Sequence, residues 1–420
     1  MSSAVLTPVE ERHDREQLLR VEDARRRIFS EIAPIHGIER IALRSALECV
    51  LAQDVLSPIN VPGHINSAVD GYALAGSDLP ARDEREYRVV GTAWAGRPFT
   101  GEVQAGECAR IMTGAPLPRG TDTVVMQEHV RAHGESVHVG AGHETGRNVR
   151  AAGEDLARGD VALSAGKRLT PADLGLLASI GMAEVGVYRP LRVAFFSTGD
   201  ELRSLGEPLG AGEIYDSNRY TLYGMLKRLN TEILDLGVIR DQRAAVRDAF
   251  AEASTVADAV ITSGGVSVGE ADYVKEIIDQ LGRVSFWQIA MKPGRPLAFG
   301  HIGNAAFFGL PGNPVAVMVT FYQFVQPALR HMAGEQNVLE SNKLFAHCST
   351  RFRKQPGRTE FQRAVMENMD GKLVVRSTGM QGSGILRSMS RANCFVVLPE
   401  DTETVEPGSL VEIQPFFGLV

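Results

Sequence analysis

Cysteine is scarce in this chain of 420 residues, and the four present, Cys49, Cys108, Cys348 and Cys394, form no C-x-x-C pair. That spacing fits neither a zinc knuckle nor a disulfide framework, so a reducing cytoplasm is the expected home. Positive charge is also short. The 44 Lys and Arg against 51 Asp and Glu leave a formal charge of −7, and no overall field gathers nucleic acid or an anionic membrane. An anionic ligand must then be held by local cations, backbone N–H groups or metal ions. No run of about 18 apolar residues occurs, and the opening MSSAVLTPVEERHDREQ has no apolar signal core. The expectation is a protein neither secreted nor membrane-spanning. Internal repeats and low-complexity tracts are missing too. What remains, 44% hydrophobic and 23% charged residues, is an ordinary globular composition. At about 150 residues per domain the length predicts about three domains, with two or four also fitting.

The pattern along the chain divides it further. The first 14 residues lack periodicity and read as a tail. From Asp14 to Ile35 apolar residues recur at helical spacing, predicting an amphipathic helix, and a second short helical pattern covers Leu43 to Leu51. Residues 57–146 are rich in Gly, Pro, Thr and Val with short alternating runs, which predicts a small β domain. It is inserted into a discontinuous linking domain of residues 15–56 and 147–187, whose second part opens a helix at Pro171 on Thr170 as N-cap. Residues 188–335 alternate strand and helix, ending in the long apolar helix VAVMVTFYQFVQPALRHM. Such alternation predicts a doubly wound, mostly parallel sheet with helices on both faces. Residues 336–420 read as a C-terminal β domain. The expected fold is therefore multidomain: a three-layer α/β domain, an inserted small β domain, a linking mixed α/β domain and a C-terminal β domain.

In an open α/β sheet, ligands bind beyond the carboxyl ends of the strands. The loop SGGVSVGEADY, with Ser263, Gly264, Gly265, Ser267, Glu270 and Asp272, offers many unencumbered backbone N–H groups next to carboxylates. It reads as a phosphate cradle, although it is neither a P-loop nor G-x-G-x-x-G; the plain alternative is a surface turn. Asp200, Glu201, Asp216, Asp241, Glu270 and Asp272 all fall near strand ends or helix starts. Carboxylates beside a phosphate usually mean Mg²⁺, while for Asp216 and Asp241 a helix cap explains the residue equally well. Lys292-Pro293-Gly294-Arg295-Pro296 sets two cations on a stiff turn, either an oxyanion clamp or a solvated hairpin tip. In Pro311-Gly312-Asn313-Pro314, Asn313 is a natural N-cap and Pro314 a natural first helical residue. Two motifs of the inserted region, around Asp70 and Thr113, serve that crevice only by folding across it or by coming from a second subunit.

Taken together, SPINVP, NSAVDGYAL, RIMTGAPLP, NVRAAGEDLARGD, FSTGDEL, IYDSN, GVIRD, ITSGGVSVGEADY, FWQIAMKPGRPLAFG, FFGLPGNPV and QGSGILRSM resemble the MoeA family of molybdenum cofactor synthesis, related to the proteins that include gephyrin. The resemblance covers essentially the whole chain from about residue 15. It implies an elongated homodimer with four domains per subunit and a site shared between subunits. It implies that the α/β domain shares the MoaB/MogA-like fold of the molybdopterin adenylyltransferases. The implied reaction converts adenylylated molybdopterin and molybdate to molybdenum cofactor and AMP, with Mg²⁺. By motif, the implied site residues are Asp70, Thr113, Arg150, Asp155, Glu201, Asp241, Asp272, Lys292, Pro311, Pro314, Arg363 and Ser383. Of these, Glu201, Asp241 and Asp272 would hold Mg²⁺ or shape the phosphate site, and Lys292 with Arg295 would stabilise oxyanions. Gln288, Ala316 and Val69 depart from the usual lysine, serine and methionine of the family. An adenylyltransferase delivering substrate and molybdoenzymes accepting product are the implied partners. The rival readings are an adenylyltransferase, a scaffold protein and a general Mg²⁺-dependent nucleotide hydrolase.

Overall fold

The computed structural model describes residues 18–264, 272–339 and 343–416. They form two units. One comprises residues 40–47 and 51–187, and the other everything N-terminal to it, residues 48–50 and the chain from Tyr188 onward.

In the larger unit, helix α1 (Val21–Glu31) buries Val21, Ala24 and Ile28 on one face. It is shorter than the periodicity predicts. Pro34 forces the backbone before it toward extended geometry, and the chain is already extended at Ile32. Residues 14–17 lie outside the described residues.

In the smaller unit, six strands order as Thr123–Met126, Gly71–Leu74, Glu107–Ile111, Arg85–Ala93, Ser136–Val139 and Val130–His133. Around this sheet, Val55–Leu56 pairs antiparallel with Val161–Leu163. Helix α2 (Pro171–Ser179) starts on a full capping box, Thr170 with Asp173. The helix expected over Leu43 to Leu51 is a correction: only a 3₁₀ turn, Leu43–Ser45, forms. Glu48 takes a positive φ of 65°, and Leu51 is drawn into a bridge with Val187, so helical hydrogen bonds cannot continue.

The α/β part of the larger unit contains strands β1 (Arg192–Thr198), β2 (Glu232–Ile239), β3 (Ala259–Ser263), β4 (Gly282–Gln288), β5 (Pro296–Ile302) and β6 (Ala305–Leu310). They order as β2-β1-β3-β6-β5-β4, with β2, β1, β3 and β6 parallel and the β5–β4 hairpin antiparallel at one edge. Helices α3 (Ser217–Lys227), α4 (Arg243–Val256) and α5 (Asp272–Leu281) follow β1, β2 and β3. The continuous apolar runs of β3 and β6 are buried throughout, as expected of strands covered on both faces. One core includes Val193, Phe195, Ile261 and Phe308 with α1; the other includes Phe196, Phe250, Val260 and Phe307 with α4.

The long apolar helix is interrupted. Helix α6 (Pro314–Thr320) passes through a π-helical turn, Phe321–Val325, into α7 (Gln326–Met332). Pro327 has no N–H for the carbonyl of Gln323, and Arg25 Nε donates to that carbonyl instead at 3.0 Å.

Strands β7 (Leu344–Cys348), β8 (Thr359–Met369), β9 (Lys372–Ser377), β10 (Cys394–Leu398) and β11 (Leu410–Pro415) close a five-stranded barrel in the order β8-β9-β7-β11-β10, with β10 returning to β8. Closure removes both sheet edges. Helix α8 (Leu386–Arg391) lies between β9 and β10 in the chain.

Candidate functional site

The parallel strands reverse their winding direction between β1 and β3. The chain leaves β1 for β2 on one side and returns to β3 on the other, so a crevice opens beyond the carboxyl ends of these two strands. There Ser197 and Ser263, paired across the strands, bring their buried hydroxyls to 3.0 Å. Gly264 follows with φ of +89°, and a Cβ on it would stand 2.7 Å from the Thr198 carbonyl oxygen. Its N–H donates to Leu310 O on β6 at 3.1 Å. The turn therefore admits only glycine. The buried Thr198 hydroxyl has no hydrogen-bond partner among the described residues, a polar atom left over at the strand end. Gly265 and Ser267, the rest of the expected cradle, and Glu270 lie outside the described residues, and of Asp272 only its place at the start of α5 is described.

Acidic residues rim the same end. Gly199 takes φ of +151°, and a Cβ there would meet the Glu201 carboxylate at 2.6 Å. The Asp241 N–H donates to Asp200 Oδ1 at 3.3 Å, joining the ends of β1 and β2. Helix α4 has Gln242, not Asp241, at its N-cap. Asp216 is a cap: its side chain accepts from the Arg219 N–H at 3.0 Å, while its second oxygen is buried without a hydrogen bond among the described residues. Among the described residues no three His, Cys, Asp or Glu side chains form a metal cage. Mg²⁺ does not need one, since one or two carboxylates plus substrate phosphates suffice, and the hard oxygens of Asp200, Glu201 and Asp241 suit it.

The cations come from two directions. Lys292 precedes a cis Pro293, and its Nζ lies 3.4 Å from Glu360 Oε1. The turn is not the solvated tip offered by one reading of the sequence, because Pro293 and Gly294 are buried and Arg295 is half-buried. In the Pro311–Pro314 turn, Asn313 holds the N-cap position of α6 but its side chain makes no cap hydrogen bond, which corrects the expected cap. Instead Asn218 Nδ2 donates to Gly312 O at 2.7 Å, and the Val315 N–H donates to Ser383 O at 3.0 Å. The start of α6 is thus pinned between α3 and the QGSG loop. Arg363, 1% exposed, supports that loop from below: Nη2 donates to Gly382 O at 3.0 Å and Nε to Ser388 Oγ at 3.1 Å. Burial lowers this guanidinium to about 10.

A separate cluster forms in the smaller unit. Strand Asn66–Ser67 pairs with Val149–Arg150, and Ser67 exchanges hydrogen bonds with Gly114 and Ala115. Asp70 Oδ1 accepts from both the N–H and the hydroxyl of Thr113, each at 2.7 Å. The N–H and then the hydroxyl hold the Asp70 carboxyl below the usual carboxylate range. Arg150 is exposed beside Glu154 at 3.9 Å, and the Asp155 N–H donates to Val61 O at 3.1 Å. So NSAVDGY, MTGAP and NVR, far apart in sequence, share one patch.

Sequence reasoning missed Thr198, Glu360, Ser388 and Gln381, whose Oε1 accepts from the Arg363 N–H at 2.8 Å. For Glu360 no periodicity in the following residues, Phe361-Gln362-Arg363-Ala364-Val365, gave a signal, and nothing named its partner.

The fold and the switch-point crevice define a multidomain α/β protein whose central segment, residues 194–331, matches the model of a probable molybdopterin binding domain. Residues 19–181 match the MoeA N-terminal region, domains I and II, and residues 346–416 the MoeA C-terminal region, domain IV. The chain is 43% identical over 405 residues to the molybdopterin molybdenumtransferase of Haemophilus influenzae, covering 96% of this chain and 100% of the relative. It is 36% identical over 369 residues to that of Nostoc sp., covering 86% and 85%. The crystal structure of the molybdopterin biosynthesis moeA protein from Pyrococcus horikoshii OT3 superposes with a TM-score of 0.83 at 30% identity, covering 95% of this chain and all of that one. The chain belongs to the MoeA family of molybdopterin molybdenumtransferases.

Proposed function

We propose that this enzyme completes molybdenum cofactor synthesis by joining molybdate to adenylylated molybdopterin with release of AMP, in the presence of Mg²⁺. The observation that carries the reading is the crevice between β1 and β3. There a glycine turn that backbone can approach closely stands beside hard carboxylates, and the cations Lys292 and Arg363, each held by a neighbour, belong to the same unit. The adenylyltransferase alternative is disfavoured, because the agreement with relatives named for the molybdenumtransferase runs through the N- and C-terminal regions as well as the α/β segment.

In this reading Ser263, Gly264, Gly265 and Ser267 receive the pyrophosphate through backbone N–H groups and hydroxyls. Glu201, Asp241 and Asp272 would hold Mg²⁺, which when bound would supply positive charge against the phosphate. Lys292 and Arg295 meet molybdate, and Pro311, Gly312, Asn313, Pro314, Arg363 and Ser383 form the wall that orients it. Asp70, Thr113, Arg150 and Asp155 complete the site from the partner subunit of a homodimer. The exposed apolar residues Leu205, Leu209, Ile214, Tyr215, Tyr220 and Tyr223, gathered in one short segment of the larger unit, support an association between subunits. The division into a tail of residues 1–14, a linking domain (15–56 and 147–187), an inserted domain (57–146), an α/β domain (188–335) and a C-terminal domain (336–420) belongs to the same reading. The pairing of Val55–Leu56 with Val161–Leu163 supports it. Four cysteines outside any disulfide support a cytoplasmic setting. Substrate arrives from an adenylyltransferase and product passes to molybdoenzymes.

The test is AMP release from adenylylated molybdopterin by purified protein, with and without molybdate and Mg²⁺. Release that needs both, with active cofactor formed, is expected. Pyrophosphate production from ATP and molybdopterin without such release would replace the reading by the adenylyltransferase.

A further inference from the structure

A lysine on an exposed turn is a poor anion receptor by itself, since its four-carbon stem and rotatable ammonium sample many positions. Lys292 is about half exposed, and the structure gives it a tether. The short strand Met291–Lys292 runs parallel to the start of β8, with Lys292 opposite Glu360, and the Thr359 N–H donates to Ala290 O at 2.9 Å. This pairing sets Lys292 Nζ 3.4 Å from Glu360 Oε1. Glu360 is itself fixed. It is 4% exposed, and its Oε2 accepts from Gln362 Nε2 at 2.9 Å, an amide that also donates to Arg353 O at 2.7 Å. The nearby ammonium of Lys354 is occupied by the carbonyls of Gln355, Glu400 and Thr402 at 3.3, 3.3 and 3.0 Å. One carboxylate oxygen therefore faces a buried amide locked to the barrel, and the other faces the ammonium of Lys292.

We infer that Glu360 is a positioning residue for Lys292, holding the ammonium in the place where it meets the oxyanion. The inference rests on the reading that Lys292 receives molybdate. A carboxylate so close to a cation has two opposite possible effects on an anion. As a competing counter-ion it weakens anion binding, and as a tether it strengthens binding by removing rotamer freedom before the anion arrives. The pinning of Glu360 by Gln362 favours the tether, because an oxygen fixed to the barrel backbone transmits that fixity to Lys292.

The two effects differ in sign, which makes the test decisive. Lys292 and Gln362 use different oxygens of Glu360; in Glu360→Gln one of these becomes an NH2 that cannot accept and the negative charge is lost, so the tether is broken or weakened while the side-chain volume is kept. The KM for molybdate in AMP release is expected to rise about tenfold, on the order of a lysine's lost rotamer restriction, with kcat within about twofold. In a Lys292→Ala background the same substitution is expected to change KM by less than about twofold, as for a residue acting through another. An unchanged or lowered KM, or an equal loss in both backgrounds, overturns the inference. If the Gln variant does not fold, Glu360→Asp, which keeps the charge and withdraws it by one methylene, is expected to raise KM severalfold; no rise overturns the inference. Should Lys292→Ala leave the molybdate KM unchanged, the role of Lys292 itself falls; a rise there with none in Glu360→Gln removes only the tether.

Discussion

Thr113 gives both its amide N–H and its hydroxyl to one oxygen of Asp70, 43 residues away in the chain, each at 2.7 Å. Two donors on a carboxylate favour its charged form, and the carboxyl is held below its ordinary value. The folded-state value being the lower one, the contribution to stability is present above the usual carboxylate range and is lost as pH falls through the lowered value. Thr113→Val removes the hydroxyl and keeps the N–H, so Asp70 should titrate at higher pH in the variant than in the wild type. A carboxyl-carbon NMR titration reads this directly, and coincident curves would show that the hydroxyl donates nothing.

Arg363 makes a different prediction because its charge is buried against neutral partners. Its guanidinium, lowered to about 10, is held charged at neutral pH at a cost of roughly 3 kcal/mol. The sign follows from the unfolded state binding the proton more tightly: the penalty is full below about pH 10 and stability recovers as pH rises toward the ordinary arginine value. Arg363→Met removes the penalty but orphans Gly382 O and Ser388 Oγ, at about 1–3 kcal/mol. The melting temperature is therefore expected to move by no more than about 5 °C, while molybdate-dependent AMP release falls by about a hundredfold or more. A large loss of melting temperature with proportionate loss of activity would mark Arg363 as structural.

Thiol reactivity tests the packing. Burial pushes the thiols of Cys108 and Cys394 up to about 12, and Cys348 is buried too, whereas Cys49 is partly exposed. At pH 8 a disulfide reagent should label one thiol in the native protein, at Cys49, and all four after denaturation. Rapid labelling of a second native thiol, mapped by mass spectrometry, would contradict the packing of the two β regions.

Much of the α/β domain was legible because its strands are continuous apolar runs and its helices begin at recognisable caps such as Asp216. What the sequence could not display was geometry that depends on partners far along the chain. The helix expected at Leu43 to Leu51 fails because Lys167 and Val187 claim the backbone of Leu51. The π-helical turn at Phe321–Val325 needs Arg25, nearly 300 residues earlier, to satisfy the carbonyl that Pro327 leaves free. At the site, motifs announced Asp70, Thr113, Lys292 and Arg363, but the bond between Asp70 and Thr113 and the partners Glu360 and Ser388 became evident only from strand register and helix placement.

Gly264 and Gly312 stand at the ends of neighbouring strands and should respond oppositely to a methyl group. Gly264 has φ of +89°, and its Cβ would lie 2.7 Å from the Thr198 carbonyl oxygen. The backbone cannot move away cheaply, because its N–H is bonded to Leu310 O at 3.1 Å and the preceding Ser263 is paired with both β1 and β6. Gly264→Ala must therefore either strain the turn or break the bond to β6, and a destabilisation of about 1–3 kcal/mol is expected. Gly312 has no atom within 4 Å of its Cβ position and no positive φ, so Gly312→Ala is expected to stay within about 0.5 kcal/mol of wild type. Urea unfolding of the two variants measures the contrast. Equal stabilities would mean that the strand end relaxes around a side chain, and a cradle that relaxes so readily would not hold backbone N–H groups in place for a phosphate.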